Sequence, residues 1–351
     1  MMAPSFLPFS DEGLRIAANL EQRHDAWVAA IRQLEALPSS MFFSTKNQRE
    51  YLTVKKRPGD NGTTVGARNA DTERTLETYR RAHASAKSAL ADTERALVDI
   101  IRQYRALRLP LAMPLPARIL RALDIANLLG TDLMLVGTNA FAAYEIEAGC
   151  RFLSGVDETD DFDLAWCRED VVELSSLSRA DQGSPLMAVL KDVDPTFRIN
   201  KAKPYQALNS AGYPVELLVA PSKFKTLVKG EVFSCVASFH EQEWLLQGRP
   251  MRHVVVSRDN RTCPIFAPDP RWMAMHKMWL SRKNERDVNK RPKDAKQAEV
   301  LLEALRDRMS ITYPMDIDFV LSLPDELRQL FNEWASANGF TPSHANSYSL
   351  R

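Results

Sequence analysis

The sequence predicts an α+β fold, with helical regions near both ends of the chain and a strand-rich region between them. Near both ends apolar residues recur every three or four positions, which is typical of helices, whereas short apolar runs dominate the middle. The chain has 351 residues, of which 45% are hydrophobic and 26% charged, so it can bury a substantial core in two or three domains.

The N-terminal region, residues 1–112, is predicted to be mostly helical. A helix is expected over 11–36, a small β-hairpin over about 49–66, and a long helix over about 72–107. The apolar spacing of the long helix is nearly heptad, so it could pack within the chain, along a partner protein or against a second copy in a homodimer. Prolines at 110, 114 and 116 predict the end of this region.

Residues 113–268 are predicted to form a strand-rich domain. Helices are expected over 118–129 and 140–148, and strands over the following ranges: 132–136, 161–166, 196–199, 213–219, 232–236 and 253–256. Gly137 and Thr138 lie between the first strand and a helix, an arrangement that predicts an anion site at the helix N-terminus.

The C-terminal region, residues 269–340, is predicted to be helical, with breaks at three prolines, and residues 341–351 are expected to be a flexible tail. The formal net charge of +1 gives no electrostatic argument for a nucleic-acid coat or an anionic membrane surface. The sequence shows no run of 18 apolar residues and no signal-peptide pattern, which predicts a cytoplasmic protein without a membrane partner.

The most informative pattern is an acidic strand. On an extended strand Asp161 and Asp163 project to one side, and like charges this close repel each other unless a cation lies between them. Glu216 stands alone in an apolar strand, and on a neighbouring strand it would complete a three-carboxylate cluster suited to Mg²⁺. The alternative is that all three acids simply face solvent on outward strand faces.

These motifs resemble the DNA polymerase β-like nucleotidyltransferase superfamily, in which a Gly-Ser or Gly-Gly turn precedes an Asp-x-Asp strand and a later single acid. The chain is more similar still to a bacterial branch of nucleotidyltransferase-fold proteins with Gly-Thr-Asn-Ala at the helix start. The resemblance covers about residues 115–310 and implies that residues 113–268 are a nucleotidyltransferase catalytic domain with a polymerase β-like core, a mixed sheet with flanking helices. The segment between the turn and the acidic strand is longer here than in compact members, and Thr138 stands where many members have Ser.

The resemblance implies that Asp161, Asp163 and Glu216 are the catalytic residues and the ligands of Mg²⁺, with Mn²⁺ as a substitute. Gly137 and Thr138 would contact the triphosphate, and Lys277, near the start of a helix, would contact the β- or γ-phosphate of bound ATP or another NTP.

The predicted function is therefore magnesium-dependent transfer of a nucleoside monophosphate from an NTP to an acceptor, with release of pyrophosphate. A small molecule, an RNA end and a protein side chain all remain open as acceptors. The alternative is a non-catalytic or regulatory binding protein of the same fold, such as a toxin–antitoxin or phage-defence component that holds its partner through the long helix.

Overall fold

The computed structural model describes residues 6–153, 162–167, 185–226 and 239–343. The chain divides into two compact units, one formed by residues 18–106 and the other by residues 1–17 together with 107–351. The domain boundaries predicted after residues 112 and 268 stay predictions.

The described residues form both helices and strands. The α-helices there are α1 (Asp11–Glu35), α2 (Ala70–Ala106), α3 (Pro114–Ile125), α4 (Phe141–Ala148), α5 (Pro185–Val193), α6 (Pro270–Arg282), α7 (Arg291–Asp307), α8 (Ile317–Ser322) and α9 (Asp325–Ala337). The strands there are β1 (Phe6–Pro8), β2 (Ser40–Lys46), β3 (Arg49–Lys55), β4 (Thr63–Ala67), β5 (Leu111–Ala112), β6 (Leu133–Val136), β7 (Cys150–Phe152), β8 (Phe162–Trp166), β9 (Arg198–Ile199), β10 (Gln206–Leu208), β11 (Pro214–Val219), β12 (Met251–Ser257) and β13 (Thr262–Ala267). Two of the described sheets are mixed, and helices and strands occur together, so the predicted α+β class is confirmed.

The unit of residues 18–106 contains an antiparallel sheet in the order β2-β3-β4. The antiparallel pair β3 and β4 forms the β-hairpin predicted over about 49–66, and β2 is a third strand that was not predicted. This strand turns into β3 through Asn47 and Gln48, which both have positive φ, at +51° and +59°. A two-residue turn of this kind matches the twist of the strands, but the Asn-Gly pair that usually marks it in a sequence is missing here.

The long helix α2 begins with reciprocal capping bonds. The Asn69 side chain accepts a hydrogen bond from the Thr72 backbone N–H at 2.8 Å, and the Thr72 hydroxyl accepts one from the Asn69 N–H at 2.8 Å. Exposed ion pairs three residues apart, such as Asp99 with Arg102, follow along its outer face. Association of α2 with a partner or a second copy stays a prediction.

The central sheet has the strand order β6-β8-β11-β10-β9. The pair β8 and β11 is parallel, and the pairs β6–β8 and β10–β11 are antiparallel. One row of this register runs through Val136, Asp163, Glu216 and Gln206. Because residues paired across strands point to the same face, the last three side chains stand beside one another.

The opposite face of β8 and β11 belongs to the core. Phe162, Leu164, Val215 and Leu217 are fully buried there and alternate with the half-buried Asp163 and Glu216. This period of two is the pattern of a sheet with one core face. Polar side chains therefore accumulate on the other face.

Helix α3 begins at Pro114, four residues before its predicted start. Pro114 occupies the first helical position, where its missing N–H costs no hydrogen bond and its fixed φ suits a helix. The sequence analysis treated the same proline as a break.

Helices α6 to α9 confirm the predicted helical character of the described C-terminal residues. Aromatic side chains pack edge to face between them, including Trp272 on Phe319 and Phe319 on Phe331. Within the described ranges, no helix combines the length and the apolar character that crossing a bilayer requires. The strand predicted over 232–236 and most of the predicted tail lie outside the described residues.

Candidate active site

The Gly-Thr turn follows β6 directly. Gly137 has a φ of +76° and leads into a short 3₁₀ turn, Thr138–Ala140, which continues into α4. A Cβ atom on Gly137 would lie 2.8 Å from the Asp163 Oδ2 atom, closer than two such atoms can approach. The positive φ favours glycine, and an added Cβ would require the Asp163 carboxylate to move, so the turn lies against the carboxylate of β8.

Asp163 and Glu216 are direct neighbours across the parallel strands β8 and β11. Paired residues of adjacent strands are about 4.8 Å apart, so these two carboxylates lie within reach of a shared cation. The structure thus brings together two of the three predicted acids. Asp161 lies outside the described residues, and its place in the cluster stays a prediction.

A neutral side chain holds Glu216. The Gln206 Nε2 atom on β10 donates to the Glu216 Oε1 atom at 2.8 Å, and Asn200 Nδ2 donates to the Gln206 Oε1 atom at 2.6 Å. An amide donor orients a carboxylate and brings no positive charge to it, so this contact gives Glu216 no counter-charge. The sequence analysis missed Gln206, because β10 has three residues and gives no strand pattern of its own.

A second glutamine holds the Gly-Thr turn. The Gln297 Nε2 atom on α7 donates to the Thr138 Oγ1 atom at 3.0 Å, and both side chains are buried. Gln297 was not predicted from the sequence either. The sequence pattern could have indicated that it is buried, because Gln297 occupies a core position of α7 in helical spacing with the buried Ala298 and Leu301.

Lys277, the predicted phosphate ligand, lies in a buried ion pair. Its Nζ atom is 2.8 Å from the Asp294 Oδ1 atom on α7, and Arg286 Nε is 2.8 Å from the other Asp294 oxygen. Burial acts to raise the pKa of Asp294, but the nearby charges of Lys277 and Arg286 outweigh it and hold the pKa below its ordinary value. Contact of Lys277 with a phosphate stays a prediction.

The neighbouring His276 is buried, and neither of its ring nitrogens has a hydrogen-bond partner within the described part of the chain. Burial is the main cause that lowers the pKa of His276 to about 3, and the charge of Lys277 adds to it. The imidazole is therefore neutral and packs edge to face on Trp244.

The donor set fits a hard divalent cation. Two carboxylates on adjacent strands beside a glycine turn are oxygen ligands of the type that Mg²⁺ prefers, with waters and phosphates in the remaining positions. The described residues contain no group of three or more His, Cys, Asp or Glu side chains placed to hold a metal ion. The third predicted acid, Asp161, lies outside the described residues.

A mixed sheet with paired acids beside a glycine turn defines a candidate enzyme site for phosphate chemistry. A family model described as "Nucleotidyltransferase" matches residues 115–315, more than half of the chain. The chain belongs to this nucleotidyltransferase family and is a transferase enzyme. This confirms the resemblance to the nucleotidyltransferase superfamily. A search of curated proteins and a search of solved structures each found no match.

Proposed function

We propose that this protein transfers a nucleoside monophosphate from an NTP to an acceptor hydroxyl or phosphate in a magnesium-dependent reaction. The observation that carries the proposal is the pairing of Asp163 with Glu216 across β8 and β11, with Gly137 against Asp163. A polymerase β-like arrangement of the core is part of the proposal, since turn, acidic strand and single acid follow in that order.

In this reaction an oxygen of the acceptor attacks the α-phosphorus, and the bond between that phosphorus and the bridging oxygen to the β-phosphate breaks. Pyrophosphate leaves with the electron pair. Asp161, Asp163 and Glu216 would hold Mg²⁺, which when bound neutralises the charge that develops on the phosphates. A hydroxyl acceptor loses its proton, and Glu216, fixed by Gln206, is placed to take up or orient it.

The Gly-Thr turn would bind the triphosphate. The absence of a side chain on Gly137 lets phosphate oxygens approach the backbone, and the Thr138 hydroxyl is available as a donor. Lys277 is assigned to the β- or γ-phosphate, which would have to compete with Asp294 for the ammonium group. Replacing Lys277 with methionine should therefore weaken NTP binding, whereas Lys283→Met, at a lysine paired with Glu241, should not.

The test is incubation of the purified protein with each labelled NTP, Mg²⁺ or Mn²⁺ and a cell extract as acceptor source. The variant Asp161→Ala with Asp163→Ala should lose label incorporation and pyrophosphate release while keeping its fold by circular dichroism. Asp192→Ala, which removes an exposed acid from α5, is the matched control and should stay active. No transfer with any NTP, or transfer that survives loss of both acids, contradicts the proposal and favours a binding protein.

A further inference from the structure

A buried hydrogen bond connects the C-terminal helices with the Gly-Thr turn. Gln297 has no exposed surface, and Thr138 is 8% exposed, so water does not compete for this bond. The donor and acceptor are 159 residues apart in the chain and 3.0 Å apart in space. A side chain of α7 thus contacts the turn that the proposed function assigns to the triphosphate.

Helix α7 is itself fixed close to this bond. Asp294 lies three residues before Gln297, hence on the same side of the helix, and accepts from Lys277 on α6 and from Arg286. Because Asp294 is buried and bound on both oxygens, α7 has little freedom to rotate or slide. The position of the Gln297 amide is therefore set by α6 as well as by α7.

The chemistry of the bond determines what Thr138 can do. An amide nitrogen only donates, so the Thr138 oxygen acts as the acceptor in this contact. A threonine hydroxyl has one proton, and that proton is then directed to a different atom. A phosphate oxygen accepts but does not donate, and it is the partner that such a hydroxyl suits.

We propose that Gln297 is a positioning residue, which occupies the acceptor side of the Thr138 hydroxyl and so directs its proton to a phosphate oxygen of the bound NTP. This inference rests on the proposed function, because it assigns a role within the nucleotide site. It makes α7 a part of that site, although α7 belongs to the helical C-terminal region.

Four variants test the role. Gln297→Met keeps the length of the side chain and removes the donor, whereas Gln297→Glu offers oxygens and draws the Thr138 proton toward itself. Thr138→Val removes the hydroxyl at equal size, and Thr138→Ser keeps it. Ala295→Glu, at an exposed position of the same helix, controls for the added charge. Affinity for ATP, GTP, CTP and UTP, each with Mg²⁺, is measured by calorimetry, and thermal unfolding is measured without nucleotide.

Gln297→Met and Thr138→Val should each weaken binding of the preferred NTP by about tenfold, the usual effect of one hydrogen bond to a charged group. The double variant should be no weaker than Thr138→Val, because Gln297 acts only through the hydroxyl. Gln297→Glu should weaken binding more than Gln297→Met, while Thr138→Ser and Ala295→Glu should stay within about threefold of the unsubstituted protein.

A bond with a purely structural role would lower the unfolding temperature of Gln297→Met and leave NTP affinity unchanged, which would overturn the inference. Multiplicative losses in the double variant would overturn it as well, because the two residues would then act independently. If the unsubstituted protein binds none of the four NTPs, the proposed function itself fails, and this assignment fails with it. If both Gln297 variants bind the NTP normally, the proposed role of Gln297 fails, but the proposed function does not fail with it.

Discussion

The carboxylates of the C-terminal helices and those of the central sheet are stabilised in different ways. Asp269, which caps α6, is fully buried and accepts hydrogen bonds from the Arg271 guanidinium at 2.7 Å and from the Arg249 backbone N–H at 2.9 Å. Asp294 is likewise bound by Lys277 and Arg286. In both places cationic side chains of the same fold balance the buried negative charge.

Glu216 on the sheet is half-buried and forms no ion pair with any described residue; its hydrogen-bond donor there is the neutral Gln206. Asp163 lies beside it in register, so two acids share one face of the sheet. The difference indicates that the helix carboxylates stabilise the fold, whereas the proposed role of the sheet carboxylate is to bind a cation from outside.

The largest expected effect concerns Glu216. Glu216→Gln keeps the shape and the hydrogen bond from Gln206 but removes the charge. Nucleotidyl transfer should fall by about a thousandfold or more, because the variant loses the proposed metal ligand and proton acceptor. Urea unfolding should change by less than about 1 kcal/mol, since no internal cation depends on this residue. A large loss of stability with retained transfer would break the comparison.

Asp294→Asn removes the charge of a helix carboxylate, as Glu216→Gln removes the charge of the sheet carboxylate. It leaves the buried Lys277 and the half-buried Arg286 without a counter-charge, and removal of one partner from a buried pair costs about 3–5 kcal/mol. Denaturant unfolding at neutral pH should show this loss. A variant as stable as the unsubstituted protein would mean that Asp294 does not hold α6 and α7 together.

Gly137→Ala tests the contact between the glycine turn and the sheet carboxylate Asp163. The new Cβ would collide with Asp163, and the residue would also carry the strain of a positive φ, so a destabilisation of about 1–3 kcal/mol is expected together with loss of transfer. Gly212→Ala is the matched control, because Gly212 has nearly the same φ of +77° and no atom within 4 Å of the added Cβ. The control should share the strain and keep the activity. Equal loss of transfer in both would contradict a special role for the Gly137 contact.

Gln206→Leu should reduce Mn²⁺ affinity, measured by electron paramagnetic resonance, by about tenfold, the lower end of the effect of removing a residue that orients a metal ligand. Gln206→Glu should reduce it further, because a second acid would stand directly beside Glu216. Unchanged affinity in both variants would show that Gln206 does not orient the ligand.

The smallest expected effect is a pH dependence from His276. The folded protein keeps this imidazole neutral down to a pKa of about 3, whereas the unfolded chain protonates it near 6.5. Stability should therefore be independent of this group above pH 7 and fall as the pH drops below 6.5, by about 1 kcal/mol at pH 5.5. His276→Phe should flatten this part of the stability profile. Charged groups near the ring are Lys277, Asp294, Arg286 and Lys283.

Sequence reasoning found the parts of the site that are encoded by short-range patterns. Alternation on β8, the lone acid among apolar residues of β11 and the glycine turn are all local, and the register confirms that Glu216 lies beside Asp163. The two glutamines were missed because their roles depend on strand register and helix packing over long separations. The Lys277–Asp294 pair was missed for the same reason, since it joins two helices with residues 283–290 between them.

The long chain separation between Thr138 and Gln297 has a consequence during synthesis. A ribosome adds about 5–20 residues each second, so the glycine turn emerges roughly 8–30 s before the helix that holds its hydroxyl, 159 residues later. During that time the proposed nucleotide site lacks its contact from α7. If Gln297 has the proposed role, full competence to bind nucleotide therefore arises only after α7 has left the exit tunnel.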